Sequence, residues 1–271
     1  MSSQILSGKR GIITGALDEN SIAWKTAVKA HENGAKIVLT NAPIAMRMGK
    51  INQLAEKLSS KVISADATNT EDINKLLADS QEFLGGKIDF ILHSIAQSPN
   101  IRKSIPYAES NYDFYGKTLD ISAISLHKIL GAAYKMDAMS EWGSVVALSY
   151  IAAQRTFSFY TDMADAKALL ESIVRSFGYH YGKFRKVRVN SVSQSPTKTT
   201  AGGGIKGFDT FYDFAELNSP LGNASADSCA DYCVSLFSDF TRMVTMQNLY
   251  HDGGYSFTGA SADLMEKFES Q

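Results

Sequence analysis

The chain lacks the features that mark several specialised classes of protein. Its 271 residues include only two cysteines and five prolines, and a formal net charge of −1 excludes the strong basic field of a general nucleic-acid binder. Lys and Arg are scattered, with the densest cluster at Lys183, Arg185, Lys186 and Arg188. Cys229 and Cys233, four apart in a helical pattern, turn both thiols to one side and read as buried free thiols, since a metal site needs further ligands nearby. The five histidines show no metal-ligand spacing, so no metal is expected. No long apolar segment suited to secretion or membrane insertion occurs in MSSQILSGKRGIITG, which leads to the expectation of a cytoplasmic protein. Gly116-Lys117-Thr118 imitates the end of a P-loop, but the glycine required five residues earlier is Asn111, and ATP binding is not expected. The G-x-G-x-x-G dinucleotide fingerprint is absent too.

Strand-length apolar runs alternate with longer helical patterns along the whole chain, uninterrupted by a Pro/Gly-rich linker or low-complexity tract. The pattern predicts strands at 10–14, 36–40, 61–65, 88–93, 143–148, 187–191 and 248–251. Helices are predicted at 21–32, 46–59, 70–83, 112–136, 162–181 and 226–238. Mostly Val, Ile and Leu strands without polar alternation are covered on both faces. The expected fold is therefore α/β: one domain over 1–271, a Rossmann-like, doubly wound parallel sheet of about seven strands flanked by helices on both faces. Two irregular stretches, 97–111 and 194–220, follow the carboxyl ends of predicted strands, where ligands bind in open α/β sheets. They are the first candidates for substrate contacts, and Ser98 lies in the first of them.

The chemistry concentrates in SYIAAQRTFSFYTDMADAK. Tyr160 and Lys167 are seven positions apart, and Tyr150 stands ten residues before Tyr160. A phenol and an ammonium two helical turns apart can set a hydroxyl on a substrate carbonyl beside a charge that anchors a cofactor. Tyr150 alone, at a strand end, reads equally well as a packed ring, and with 12 tyrosines in the chain chance pairings come easily. The first strand runs into Gly15-Ala16-Leu17-Asp18-Glu19-Asn20-Ser21-Ile22-Ala23. A glycine turn leading to a helix N-terminus suits a pyrophosphate, although Gly15 also reads as an ordinary turn and Ser21 as an ordinary helix cap. Asp66, after the third strand, reads equally as a cap ahead of Glu71.

The joint pattern Ser-Tyr-x9-Tyr-x6-Lys, with Met163 where the common short-chain dehydrogenases carry their tyrosine, resembles the NADH-dependent enoyl-[acyl-carrier-protein] reductases. These form a divergent branch of the short-chain dehydrogenase/reductase family. The resemblance extends to the Gly-Ala-x4-Ser-Ile-Ala loop and to Pro196-Thr197-Lys198-Thr199, and it implies specific roles. Gly15, Ser21 and Ile22 would meet the cofactor phosphates, Asp66 and Ala67 the adenine, and Ser94, Ile95, Thr197 and Thr199 the nicotinamide side. Lys167 would hold the ribose. Tyr150, Tyr160 and Lys167 would be catalytic, with Ser98, Tyr150, Tyr160, Met163, Ile205 and Phe208 contacting substrate. Family serine-isoleucine-glycine becomes Ser94-Ile95-Ala96 here, a methyl closer to the nicotinamide.

The implied activity is hydride transfer from NADH, ahead of NADPH, to C3 of a trans-2-enoyl thioester carried by acyl carrier protein, in type II fatty acid synthesis. A mobile substrate-binding loop at about 197–220, three glycines feeding an aromatic, helix-period stretch, and a homotetramer are implied as well. Neither a nucleic acid nor a membrane is an expected partner. Two alternatives remain: a short-chain carbonyl or ketoacyl reductase, and a catalytically silent NAD(P)-binding sensor of the same fold.

Overall fold

The computed structural model describes residues 4–48, 50–200, 202–204 and 207–269. In chain order the elements are β1 (Arg10–Thr14), α1 (Ile22–Glu32), β2 (Lys36–Thr40), α2 (Pro43–Met48), α3 (Ile51–Lys57), β3 (Lys61–Val62), α4 (Thr70–Leu84), β4 (Ile88–His93) and α5 (Pro99–Arg102). There follow α6 (Tyr112–Leu119), α7 (Ser125–Lys135), β5 (Met139–Ser149), α8 (Thr161–Arg185), β6 (Arg188–Gln194), α9 (Phe208–Asn218), α10 (Ala226–Phe237), β7 (Asn248–His251) and α11 (Ala262–Glu269). The strands form one parallel sheet in the order β3-β2-β1-β4-β5-β6-β7. Strand order reverses between β1 and β4, and that switch point places the ligand crevice beyond their carboxyl ends.

Apolar residues on both faces of the central strands produce two core layers. One joins the sheet to α4, α7 and α8 through Leu77, Leu130 and Leu170; the other joins it to α1, α3 and α10 through Ala27, Leu54 and Phe237. β6 departs from the apolar rule, since RVNSVSQ is buried throughout. Most of its polar groups are answered internally: the Arg188 guanidinium donates through its terminal nitrogens to the carbonyls of Leu236, Ser238 and Thr241, and Asn190 bonds Val244 O and the Gln247 amide, while Arg188 Nε and Ser193 Oγ have no hydrogen-bond partner among the described residues. Among the described residues no helix is long and apolar enough to cross a membrane.

Several predicted boundaries shift for identifiable reasons. The helix expected at 46–59 is two helices, broken at Lys50, whose amide donates to Leu17 O at 2.9 Å and ties the break to the β1–α1 loop. The strand expected at 61–65 pairs regularly only at 61–62, although Ile63 and Ala65 still donate to Leu39 O and Asn41 O. The helix expected at 112–136 contains a π-helical turn at Asp120–Ile124. Here Ser122 Oγ accepts from the Gln97 amide at 3.0 Å, docking the segment that follows β4. α5 and α11 have no counterpart among the predicted helices, and the aromatic stretch after the triple glycine is helical as α9.

Candidate active site

At the switch point lies a cavity of about 670 Å³. Its floor comes from the ends of β1 and β4. Gly15 has φ 83°, and a Cβ there would lie 1.9 Å from the Ser94 carbonyl oxygen, so only glycine lets the two strand ends meet so closely. Thr14 Oγ1 donates to Leu92 O at 2.9 Å and accepts from the Ser94 amide at 3.1 Å, locking the same junction. α1 points its N-terminus at the cavity and carries no acidic residue in its first turn, leaving its dipole and amides available to an anion.

All the site residues expected from sequence that lie among the described residues line this one cavity; Ile205 lies outside the described residues. Gly15, Ser21, Ile22, Asp66 and Ala67 line it near β1 and β3, and Ser94 and Ile95 after β4. Ser98, Tyr150, Tyr160, Met163 and Lys167 line it around α5 and the start of α8, with Thr197, Thr199 and Phe208 on the segment after β6.

Tyr160 immediately precedes α8, and Thr161 takes φ 32°, an uncommon conformation for a β-branched residue that turns the chain into the helix at this point. The Tyr150 and Tyr160 rings pack with centroids 5.2 Å apart. Burial raises both phenols above the ordinary tyrosine range, so each keeps its proton and remains a donor; Tyr255, Tyr160 and Asp252 add to the effect at Tyr150. The Tyr150 hydroxyl is buried beside Tyr255 without a well-formed hydrogen bond, an unsatisfied donor at the cavity wall. Lys167 is 6% exposed, and its ammonium donates to Leu148 O at 2.7 Å. Burial pulls its pKa down to about 8, with the Glu171 carboxylate acting in the opposite sense.

Several expected contact hydroxyls are already engaged within the protein. Ser21 Oγ accepts from the Trp24 amide at 3.2 Å, the helix-cap alternative, and donates to Asp18 O. Asp66 Oδ1 accepts from the Thr68 amide and hydroxyl at 2.8 and 2.7 Å. Ser98 Oγ donates to Asp162 at 2.6 Å and caps α5, so its hydroxyl serves the frame of the cavity. Thr197 Oγ1 donates to Ser195 O at 3.0 Å, and Thr199 Oγ1 accepts from the Gly202 amide.

Residues that sequence reasoning missed hold this arrangement. Asp162 is fully buried and receives donors from Ser98, Asn100, Thr118 and Thr161. An acidic residue in a helix's first turn is so ordinary that its sequence gives no signal of this role. Thr200 Oγ1 donates to Asp18 Oδ2 at 2.5 Å, linking the segment after β6 to the loop after β1. His93, at the end of β4, is pushed down to about 3, by burial first and the charge of Lys167 second. Phe211 of α9 packs on Tyr150, Phe157 and Phe159, with centroids 4.9–6.3 Å apart, and makes one side of the cavity aromatic. His251, at the end of β7, is bonded to Gln194 and stacked on Tyr232.

A glycine-floored crevice at a switch point, a helix N-terminus, and two proton-bearing phenols beside a buried lysine define a dinucleotide-dependent reductase of the Rossmann type. The sequence profile of the family described as enoyl-(acyl carrier protein) reductase matches residues 15–256. The enoyl-[acyl-carrier-protein] reductase [NADH] 1 of Rhizobium meliloti (strain 1021) is 33% identical over 263 residues, which are 96% of this chain and 95% of that one. The corresponding Bacillus subtilis (strain 168) enzyme is 32% identical over 257 residues, 93% of this chain and 98% of that one. The crystal structure of the FabI-NADH complex from Alistipes finegoldii superposes with a TM-score of 0.96 at 60% identity, covering 97% of this chain and 93% of that chain. The chain belongs to the enoyl-[acyl-carrier-protein] reductase family.

Proposed function

We infer that the chain catalyses the NADH-dependent reduction of the trans-2 double bond of enoyl thioesters carried on acyl carrier protein, a step of type II fatty acid synthesis. The observation that carries the reading is the meeting of Tyr150, Tyr160 and Lys167 at one cavity whose other end is floored by Gly15 and faced by the N-terminus of α1.

When bound, NADH supplies the hydride that C3 receives. Gly15 and the first amides of α1 would hold its phosphates, and Ser94, Ile95, Thr197 and Thr199 would bracket the nicotinamide end. Asp66 and Ala67 would border the adenine. Lys167, with one donation fixed on Leu148 O, has further N–H donors for the ribose hydroxyls. As negative charge builds on the thioester oxygen, the Tyr160 hydroxyl donates to it; one positioned donor of this kind is worth about 3–4 kcal/mol. Tyr150, whose hydroxyl is buried and unsatisfied and whose ring packs against that of Tyr160, supplies a second donor from the same side of the cavity. Met163, Phe208 and the aromatic side built by Phe211 receive the start of the acyl chain. Residues 197–220, the proposed substrate-binding segment, close that side through α9. The chain is proposed to act as one catalytic domain in the cytoplasm as a homotetramer.

Purified protein should oxidise NADH with crotonyl thioester, and more slowly with NADPH in its place. Turnover of acetoacetyl thioester without crotonyl turnover would instead assign a ketoacyl reductase.

A further inference from the structure

Glu171 lies one turn beyond Lys167 on α8 and is 4% exposed. Isolated buried carboxylates are costly, and among the described residues none of the ion pairs involves this one. It is held by neutral donors instead. Oε1 accepts from Ser149 Oγ at 2.7 Å, and Oε2 accepts from Gln154 Nε2 at 3.0 Å. Gln154 is itself fixed, since its Oε1 accepts from the Tyr250 hydroxyl at 2.8 Å. Ser149 lines the cavity and adjoins Tyr150. A fixed negative charge thus sits behind the cavity wall, on the face of α8 that carries Lys167.

The other titratable groups around this stretch do not substitute for it. His93 of β4 is kept neutral, and Tyr150 and Tyr160 keep their protons. Asp120 of the π turn pairs with Lys128, Asp162 is engaged by four donors, and Asp165 accepts from Tyr115. Arg188 of β6 is spent on carbonyls at the end of α10. Glu171 is the charge that bears on the Lys167 ammonium.

We propose that Glu171 is a positioning residue for the reduction: suspended from Ser149 and Gln154, its carboxylate keeps the Lys167 side chain charged and directed at the cavity. The proposal rests on the reading of Lys167 as the cation that holds the cofactor. Burial brings the Lys167 pKa down to about 8, so a modest loss of stabilisation removes its charge close to neutral pH.

The test is the pH profile of kcat/KM for NADH, which reports ionisations of the free enzyme. Glu171→Gln keeps the length and an acceptor oxygen and deletes the charge. Its basic limb should move to lower pH by about one unit, which cuts the charged fraction at pH 8 from about a half to about a tenth, a roughly five-fold loss. Near pH 6 the variant should match the wild type. Glu171→Met, a second charge deletion of similar length, should move the limb the same way, and a thermal melt of each variant establishes that it is folded. A wild-type limb in either folded variant overturns the proposal, as does loss of folding in both, which would assign Glu171 to the frame alone. Lys167→Ala separates the two layers of the argument. Weakened NADH binding in that variant together with an unmoved limb in Glu171→Gln refutes only the role of Glu171, whereas unaltered NADH binding refutes the reading of Lys167 as well.

Discussion

Replacing Asp162 with asparagine removes one charge from a fully buried site and reverses the polarity of half of its hydrogen bonds. Ser98 and Thr161 donate to Oδ1 at 2.6 and 3.1 Å, and Asn100 Nδ2 and Thr118 Oγ1 both donate to Oδ2 at 2.8 Å. The new amide nitrogen cannot take the Oδ2 side, because Asn100 cannot turn over: its own Oδ1 accepts from the Asn111 amide at 3.2 Å. It must face Ser98 and Thr161, which then lose their acceptor. Bonds to a charged group contribute about 1.5–3 kcal/mol and neutral ones about 0.5–1.5 kcal/mol. Two bonds lost or inverted and two weakened, partly offset by hydroxyl rotation, amount to about 3 kcal/mol. For a chain of this size that lowers Tm by about 6–12 °C. Urea unfolding followed by circular dichroism gives the free energy directly, with Asp165→Asn, which disturbs only the contacts from Tyr115 and Tyr107 at a half-buried carboxyl, as the mild control. An Asp162→Asn variant within 1 kcal/mol of wild type, by the same yardstick of hydrogen-bond energies, would refute the polarity argument.

Tyr160→Phe should lower kcat by about 10²–10³ while leaving NADH affinity within two-fold, since the ring contact with Tyr150 survives and only the donor is lost; stopped-flow NADH binding and steady-state rates separate the two. His93 has a folded pKa of about 3, below its unfolded value, so its contribution to stability is present above about pH 6.5 and is lost as pH falls toward 3. Between pH 7 and 5 the loss should be about 2 kcal/mol in urea titrations, and His93→Gln should flatten that dependence. Gly11→Ala would bring a Cβ to 2.1 Å from the Phe90 ring, which is itself stacked on Phe237 at 4.4 Å, so it should destabilise by about 1–3 kcal/mol, read as a shifted urea midpoint.

The parallel sheet was legible because its strands are short apolar runs covered on both faces, as in IIT of β1 and FILH of β4, and that pattern survives any local irregularity. The tyrosine pair and Lys167 were legible through spacing, and the cavity brings them together. Features that depend on distant partners were hidden. Nothing in the sequence near 120–124 announces a π turn at which Ser122 holds Gln97, and the strand predicted at 187–191 gives no sign that Arg188 and Asn190 are buried and met by partners from the end of α10 and the 239–247 segment. Ser98 shows the converse: its place in the chain suggests substrate contact, while its hydroxyl is directed at Asp162, 64 residues away. Glu171 and Asp162 escaped notice because isolated helix carboxylates look like solvated charges until their burial is seen.

The central claim, that the cavity directs hydride to the alkene carbon beyond a thioester held by Tyr160, is tested most directly with NADH deuterated at C4 of the nicotinamide and crotonyl thioester as acceptor. Mass spectrometry and NMR of the butyryl product should place one deuterium on C3 and a solvent proton on C2. Deuterium at the carbonyl carbon, or folded protein that binds NADH and leaves crotonyl thioester untouched, would contradict the account.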